Sequence, residues 1–160
     1  MGKITRTNFG FITTVTLTNA QILTSPTSYV TIVPAPGPGK LLVPIMTVLR
    51  LDNTAGAYGA VDADLTMLLV YGDWDNDASV YTDPTSTDNF FTGTGISTYA
   101  LPKAAFPNGV NGTLQVGGAD PVAGINLPLK LAIDNSVDLT GGDPANTLLV
   151  SVSCLSIVVA

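Results

Sequence analysis

The sequence predicts an all-β fold, an antiparallel β-sandwich or jelly-roll-like domain of roughly eight strands. Short stretches rich in β-branched residues alternate with turns, and the 160 residues include 16 Gly and 11 Pro. All 12 acidic residues are Asp, and Lys and Arg together number only 6, so strong helix formers are scarce. We see no linker or internal repeat and expect one domain over residues 1–160.

The N-terminal third begins with two predicted strands that flank a short helical turn. Residues 12–18 alternate β-branched and polar side chains, which favours a strand. Residues 19–23 follow as a single helical turn, with Thr18 as its N-cap and Pro26 beyond its end. Residues 29–33 are the second strand.

The longest predicted strand comes after a rigid bend. Residues 34–40 contain three prolines and cannot form a helix or a central strand. Residues 41–51 then form the long strand, and Pro44 within it lacks an N–H, so we expect an edge or a bulge at that point. Residues 65–71 are apolar apart from Thr66 and predict a buried strand.

The second half is less regular. Residues 72–89 are polar and rich in Asp and predict a long surface excursion, after which Phe90 and Phe91 return to the core. Residues 96–106 are ambiguous, because Pro102 limits any helix there. The remaining strands are predicted at residues 113–116, 127–133 and 148–159.

Composition excludes most catalytic classes. The chain has no His and one Cys, so a Ser or Cys nucleophile would lack its usual base, and we expect neither an enzyme nor a cofactor. Cys154 lies in an apolar strand and is predicted to be a small buried hydrophobe. The net charge of −6 argues against nucleic acid, and the longest apolar-leaning run, residues 148–160, is too short for a membrane helix.

An Asp-rich stretch is the sharpest local cluster. Asp73, Asp75 and Asp77 alternate as in a calcium loop, but the sixth and twelfth positions hold Ala78 and Pro84 instead of Gly and an acidic residue. The sequence therefore favours an acidic surface loop, with no metal expected. The three Asp residues remain the candidate ligands if a looser site exists.

Aromatic residues in or near predicted loops leave a second function open. Aromatic side chains beside Asp and Asn can hold a sugar on a β-sandwich, so a receptor-binding protein that recognises host glycan is the alternative. The competing interpretation is that these rings fill the ends of the sandwich. They are Tyr58, Trp74, Tyr81, Phe90, Phe91 and Tyr99.

The balance of apolar and charged residues favours self-association. Hydrophobic residues make up 46% and charged residues 11%, so part of the apolar surface can be buried between copies of the chain. Residues 1–11 are a candidate N-terminal arm, in which Lys3, Arg6, Phe9 and Phe11 would contact a partner as basic and aromatic anchors. An ordinary first strand with a frayed end is the alternative.

The first half of the chain resembles small structural proteins encoded by tailed bacteriophages. The resemblance rests on the order of a Thr-rich strand, a Gln-Ile turn, a Pro/Gly bend ending in Lys and a long apolar strand. It also includes a final strand rich in Leu, Val and Ser. The matching residues are Thr16-Leu17-Thr18, Gln21-Ile22, Pro34-Ala35-Pro36-Gly37, Gly39-Lys40 and Leu49.

This resemblance implies a virion component with a jelly-roll-like β-sandwich, often trimeric, that serves as a capsid decoration (cement) protein or as part of the tail. It would be made in the host cytoplasm and lie on the capsid exterior. Its expected partners are other copies of itself, as a homotrimer, and the major capsid protein. The resemblance carries over no functional side chains, because the matching residues are turn and core positions.

Overall fold

The computed structural model describes residues 10–62, 65–72, 79–82, 88–101 and 126–158. Ten strands and two short helices lie in these ranges. In chain order they are β1 (Phe11–Thr18), α1 (Asn19–Thr24), β2 (Val30–Val33), β3 (Lys40–Asp52), β4 (Tyr58–Gly59), β5 (Thr66–Tyr71), β6 (Ser79–Thr82), α2 (Asp88–Thr92), β7 (Ile96–Leu101), β8 (Leu129–Asp134), β9 (Thr140–Gly141) and β10 (Thr147–Val158).

Eight of these strands form two antiparallel four-stranded sheets. The first sheet has the order β1-β10-β3-β7 and the second has the order β2-β8-β5-β6, while β4 and β9 form a separate two-stranded pair. Along the chain, the strands of these two sheets alternate between them except for β5 and β6, which are neighbours in the second sheet, and the last strand lies between the first and the third. This order is that of a jelly roll, which confirms the predicted fold class.

The core lies between the two sheets, where alternate residues of each strand point inward. In the first sheet, Leu17, Leu148 and Leu51 lie side by side on neighbouring strands and are fully buried. In the second sheet, Leu69 and Leu131 form a buried cross-strand pair facing them. Burial of one such side chain contributes about 2 kcal/mol, so this interface between sheets dominates the stability of the fold.

The short helix α1 forms as its sequence predicts. Thr18 is the N-cap: its hydroxyl accepts the Gln21 N–H at 3.5 Å, while its own N–H donates to the Gln21 side chain at 3.0 Å. This capping box satisfies backbone groups that a helix start leaves unpaired. Ile22 is fully buried and fixes the helix against the core.

Pro44 lies at a bulge, as predicted, although its strand is central in the sheet. The pairing of β3 with β10 shifts between Ser153 and Cys154, where Met46 and Pro44 face consecutive residues of β10 and Ile45 is the extra residue. A bulge accommodates the missing proline N–H without breaking the ladder.

Two predictions for the irregular regions need correction. The supposed surface excursion 72–89 contains strand β6, which pairs with β5 and is part of the second sheet. The ambiguous stretch 96–106 begins with strand β7, which is paired with β3 over six residues. The predicted strand at residues 113–116 lies outside the described residues.

Candidate interaction surface

The two ends of the sandwich differ in chemistry. One end, here called the polar end, holds the loops that follow β1, β3 and β8, and its loops are tied together by Asn53, Asn135 and Asn146. The opposite end, here called the open end, holds the first residue of β1 and the bend between β2 and β3.

At the polar end, side-chain amides replace the backbone ladder. The Asn53 Nδ2 group donates to the carbonyl oxygens of Phe91 at 3.3 Å and Gly93 at 2.5 Å, which ties helix α2 to the end of β3. The Asn146 Nδ2 group donates to the Gly56 carbonyl oxygen at 2.7 Å. Asn53 and Asn146 are each 1% exposed, and the bond from Asn53 to Phe91 is buried while the other two are partly buried. These bonds are therefore costly to break.

A second polar-end contact joins the loops before β5 and after β8. The Asp62 carboxylate accepts the Ser136 N–H at 2.6 Å, and the Asp62 N–H donates to the Asn135 side chain at 2.8 Å. The Asn135 amide also donates to the carbonyl oxygens of Ala60 and Val137. Hydrogen bonds from Ser136 hold the pKa of Asp62 below its ordinary value.

The open end holds an apolar groove between the two sheets. Its volume is about 300 Å³. The bend from Pro34 to Pro36 forms one wall, and two prolines in three residues leave that wall with few N–H donors. The other lining residues are Phe11, Thr13, Val33, Leu42 and Ser156. The groove therefore suits an apolar side chain better than a polar ligand.

The outer face of the β1-β10-β3-β7 sheet continues this apolar character. Ser153 of the central strand β10 pairs with Ile12 of β1 on one side and with Met46 of β3 on the other, and Ile45 is the extra residue of the adjacent bulge. Ile12 is 74%, Met46 53% and Ile45 48% exposed. We call these three residues the apolar strip. Three large apolar side chains so close together and exposed are typical of a contact surface.

Hydroxyl residues occupy the middle of this face, and charges appear only towards the polar end. Thr14 lies opposite Ser151, and their hydroxyl groups are hydrogen-bonded at 3.1 Å. Among the described strand residues that point outward from this sheet, the charged ones are Arg50 and Asp52. Much of the face is therefore free of the charge that keeps a surface solvated.

Of the four residues predicted in the N-terminal arm, the structure places one. Phe11 is the first residue of β1, is 36% exposed and lines the apolar groove. Lys3, Arg6 and Phe9 lie outside the described residues. The chain thus enters the fold at the open end, next to Ile12 of the apolar strip.

The candidate metal ligands Asp73, Asp75 and Asp77 lie outside the described residues. Within the ranges that are described, no group of three or more potential metal-ligating His, Cys, Asp or Glu side chains occurs. Tyr71, at the end of β5 just before this stretch, is buried, and its hydroxyl donates to the Leu42 carbonyl oxygen.

The aromatic residues favour the core interpretation over a sugar site. Tyr58, Phe90 and Phe91 are buried, and the Phe91 ring packs edge-on against both others, with centroids 5.8 Å from Tyr58 and 5.2 Å from Phe90. A buried ring cannot stack on a sugar. Trp74 lies outside the described residues.

Titratable groups in the described residues show no catalytic arrangement. Cys154 is fully buried, as predicted, and burial raises the pKa of its thiol to about 12, so the reactive thiolate is suppressed. Burial also raises the pKa of Tyr58, with a partly opposing effect of the Asn146 amide, which lies beside the phenol but outside hydrogen-bonding geometry. Neither group is paired with a base.

Sequence reasoning missed the apolar strip and the asparagine ties. The alternation of residues 12–18 would have placed Ile12 on a face with Thr14 and Thr16, which signals an outward isoleucine. The sequence predicts an edge or a bulge at Pro44, but it does not predict that the bulge turns the side chains of Ile45 and Met46 outward. The asparagine bonds join residues far apart in the chain, for which a single sequence has no signal.

Comparisons with known proteins give one distant similarity. No family model and no curated protein matches the chain. A solved structure described as "Cyanophage Pam1 capsid asymmetric unit" is similar with a TM-score of 0.43 and 15% sequence identity, over 93% of this chain and 84% of that chain. A similarity at this level assigns no function. In the described part of the chain, none of the helices has the length and apolar character needed to cross a membrane.

Proposed function

We propose that the chain is a non-enzymatic structural protein of a bacteriophage virion, and specifically a capsid decoration protein. It would act as a homotrimer on the capsid exterior and brace neighbouring major capsid subunits. The observation that carries this proposal is the outer face of the β1-β10-β3-β7 sheet, which is apolar or hydroxylated over most of its length.

Three features support a role in assembly. The resemblance of the first half to small phage structural proteins points to a virion. The apolar strip and the apolar groove meet at the open end, where Phe11 belongs to the groove and Ile12 to the strip. A protein that holds subunits together needs area and shape rather than reactive groups, and the titratable groups of the described residues form no catalytic pair.

The arm would bind the capsid subunit. Residues 1–10 precede β1 at the open end, so basic Lys3 and Arg6 and the ring of Phe9 could extend the contact that begins at Phe11. A capsid surface that receives them would be apolar with acidic groups nearby, because Lys and Arg favour carboxylate partners.

The test has two parts, and each decides a different element of the proposal. Light scattering gives the absolute mass of the purified protein; three times the chain mass of 16.5 kDa is expected, with and without a chelator. Binding to purified capsids of the parent phage that lack the protein is then measured by co-sedimentation. A variant without residues 2–10 should keep the trimer mass and lose capsid binding.

The control for the deletion is the double variant Lys3→Gln, Arg6→Gln, which removes the charges but keeps the length. Weakened binding that falls further with salt would indicate that the basic residues contribute. Unchanged capsid binding by the deletion variant would refute the arm contact, and absence of binding by the intact protein would refute the decoration role.

A further inference from the structure

The four edge strands of the two four-stranded sheets are of two kinds. Edge strands β2 and β6 of the second sheet have four residues each, and the pairing of each with its neighbour contains a register shift. Short and irregular edges resist the addition of a further strand. The edges of the first sheet, β1 and β7, have eight and six residues and unbroken registers.

The edges β1 and β7 also lack the chemical protection that edges usually carry. Neither strand contains a charged residue or a proline. Thr14, Thr16 and Thr18 of β1 and Thr98 and Ala100 of β7 are exposed. In the described part of the chain, no strand lies beside the outer edge of either. Long, regular, uncharged edges are templates for strand pairing between molecules.

We propose that β1 of one copy pairs antiparallel with β7 of the next copy, so that the first sheets of the copies join into a closed ring. The inference rests on the self-association proposed above and names the surface that forms it. The strand directions fit: three successive antiparallel pairings make β7 antiparallel to β1 within one sheet. A rotated copy therefore continues the antiparallel pattern.

The contact between β1 of one copy and β7 of the next uses both open edges of the first sheet. A two-fold contact between two copies of β1 would leave β7 open in each copy. A head-to-tail contact pairs both edges of the first sheet in every copy and closes if the rotation allows it. The charge pattern permits it as well, since no like charges would lie opposite each other on two uncharged strands.

Ring closure also explains the outer face. Three four-stranded sheets give a ring of twelve strands, whose radius is roughly 9 Å before strand tilt at about 4.8 Å per strand. The second sheets pack about 10 Å from the first and do not fit inside such a ring. The face that carries Ile12 and Met46, together with Arg50 and Asp52 towards the polar end, then turns toward the ring axis, where the copies face one another.

Cross-linking tests the pairing directly. Thr16 and Thr98 lie at the two ends of one cross-strand row, through Leu149 and Arg50. The double variant Thr16→Cys, Thr98→Cys is treated with a short bis-maleimide and run on a denaturing gel, with each single variant as control. The buried Cys154 reacts slowly and serves as an internal blank.

We expect dimer and trimer bands for the double variant and monomer for both single variants. A dimer from Thr16→Cys alone would show a two-fold β1 contact and overturn the proposal. Monomer bands from the double variant, together with a trimer mass by light scattering, would overturn the β1–β7 pairing and leave the trimer standing. A monomer mass would overturn both.

A charge variant gives an independent measurement. Thr16→Glu places a carboxylate on the proposed contact and should raise the concentration at which the oligomer dissociates by ~10-fold or more. Thr31→Glu is the matched control, an exposed threonine on edge strand β2 of the second sheet. It should leave the dissociation unchanged, and equal effects of the two variants would overturn the assignment to the first sheet.

Discussion

The polar end and the open end of the β-sandwich are closed in different ways. At the polar end, the buried amides of Asn53 and Asn146 satisfy loop carbonyl oxygens, and aromatic rings fill the space behind them. At the open end, a groove of about 300 Å³ remains and the apolar strip is exposed. The polar end joins its loops by hydrogen bonds within a single chain, although the Tyr58 hydroxyl and the Asn146 Oδ1 atom have no partner there. In the described residues, the open end instead leaves apolar surface exposed.

This difference separates stability from interaction. Buried hydrogen bonds are costly to leave unmade, so substitutions at the polar end should act on folding. Exposed apolar groups contribute little to folding of the single chain and much to contacts with other molecules. Substitutions at the polar end should therefore lower the free energy of unfolding more than matched substitutions at exposed positions elsewhere.

The largest effect is expected at Gly142. Its φ is +66°, and a Cβ atom there would lie 2.7 Å from the Asn19 Oδ1 atom and 2.7 Å from the Cε1 atom of buried Tyr58. Gly142→Ala would place a Cβ atom against a buried ring and force alanine into the left-handed region of φ. The free energy of unfolding should therefore fall by about 3 kcal/mol. Urea denaturation measures the change.

Gly39 at the open end is the matched control. Its φ is +68°, but a Cβ atom there would have nothing within 4 Å. Gly39→Ala should therefore cost only the backbone term, about 1 kcal/mol. Equal losses for the two variants would mean that the polar end is no more tightly packed than the bend of the open end.

The second effect in size is expected at Asn53. Asn53→Ala removes an amide that donates to the Phe91 carbonyl oxygen in a buried bond and to the Gly93 carbonyl oxygen in a partly buried one, which should destabilise the fold by about 2 kcal/mol. Asn135→Ala also removes two donated bonds, but at a less buried position, and should cost about 1 kcal/mol. The ratio of the two losses, from urea denaturation, measures the contribution of burial. A larger loss for Asn135→Ala would contradict this account.

These two positions also show what a sequence can predict. The strands were predictable because alternation and turn residues act locally, and even the bulge at Pro44 followed from the missing N–H of proline. Strand β6 was missed because its four residues lie in a polar stretch without an apolar pattern. The ties made by Asn53 span about 40 residues of chain, so they depend on the folded arrangement and leave no mark in local sequence.

A smaller, pH-dependent effect is expected at Asp62. Because hydrogen bonds from Ser136 lower its pKa in the folded state, the ionised carboxylate adds stability at neutral pH. That stability is present above the ordinary carboxyl pKa and is lost as the pH falls through the lowered folded value. Asp62→Asn should thus lower Tm at pH 7, and the difference from the unsubstituted protein should shrink in acid. A difference that stays constant from pH 7 to pH 2.5 would exclude this linkage.

The smallest effect on folding is expected at the apolar strip, and it completes the contrast between the ends. Ile12 is 74% exposed, so Ile12→Ser should change the free energy of unfolding of the single chain by less than about 0.5 kcal/mol, whereas Leu17→Ala on the same strand, fully buried, should cost about 3 kcal/mol. If copies associate through this sheet, Ile12→Ser should instead weaken the oligomer, which light scattering over a dilution series detects. An unfolding loss near that of Leu17→Ala at concentrations where the protein is monomeric would place Ile12 in the core and remove the distinction between the two ends. An unchanged oligomer would show that the apolar strip does not contact a second copy. Ile12 would then affect neither folding nor self-association, and the capsid contact would be its remaining proposed role.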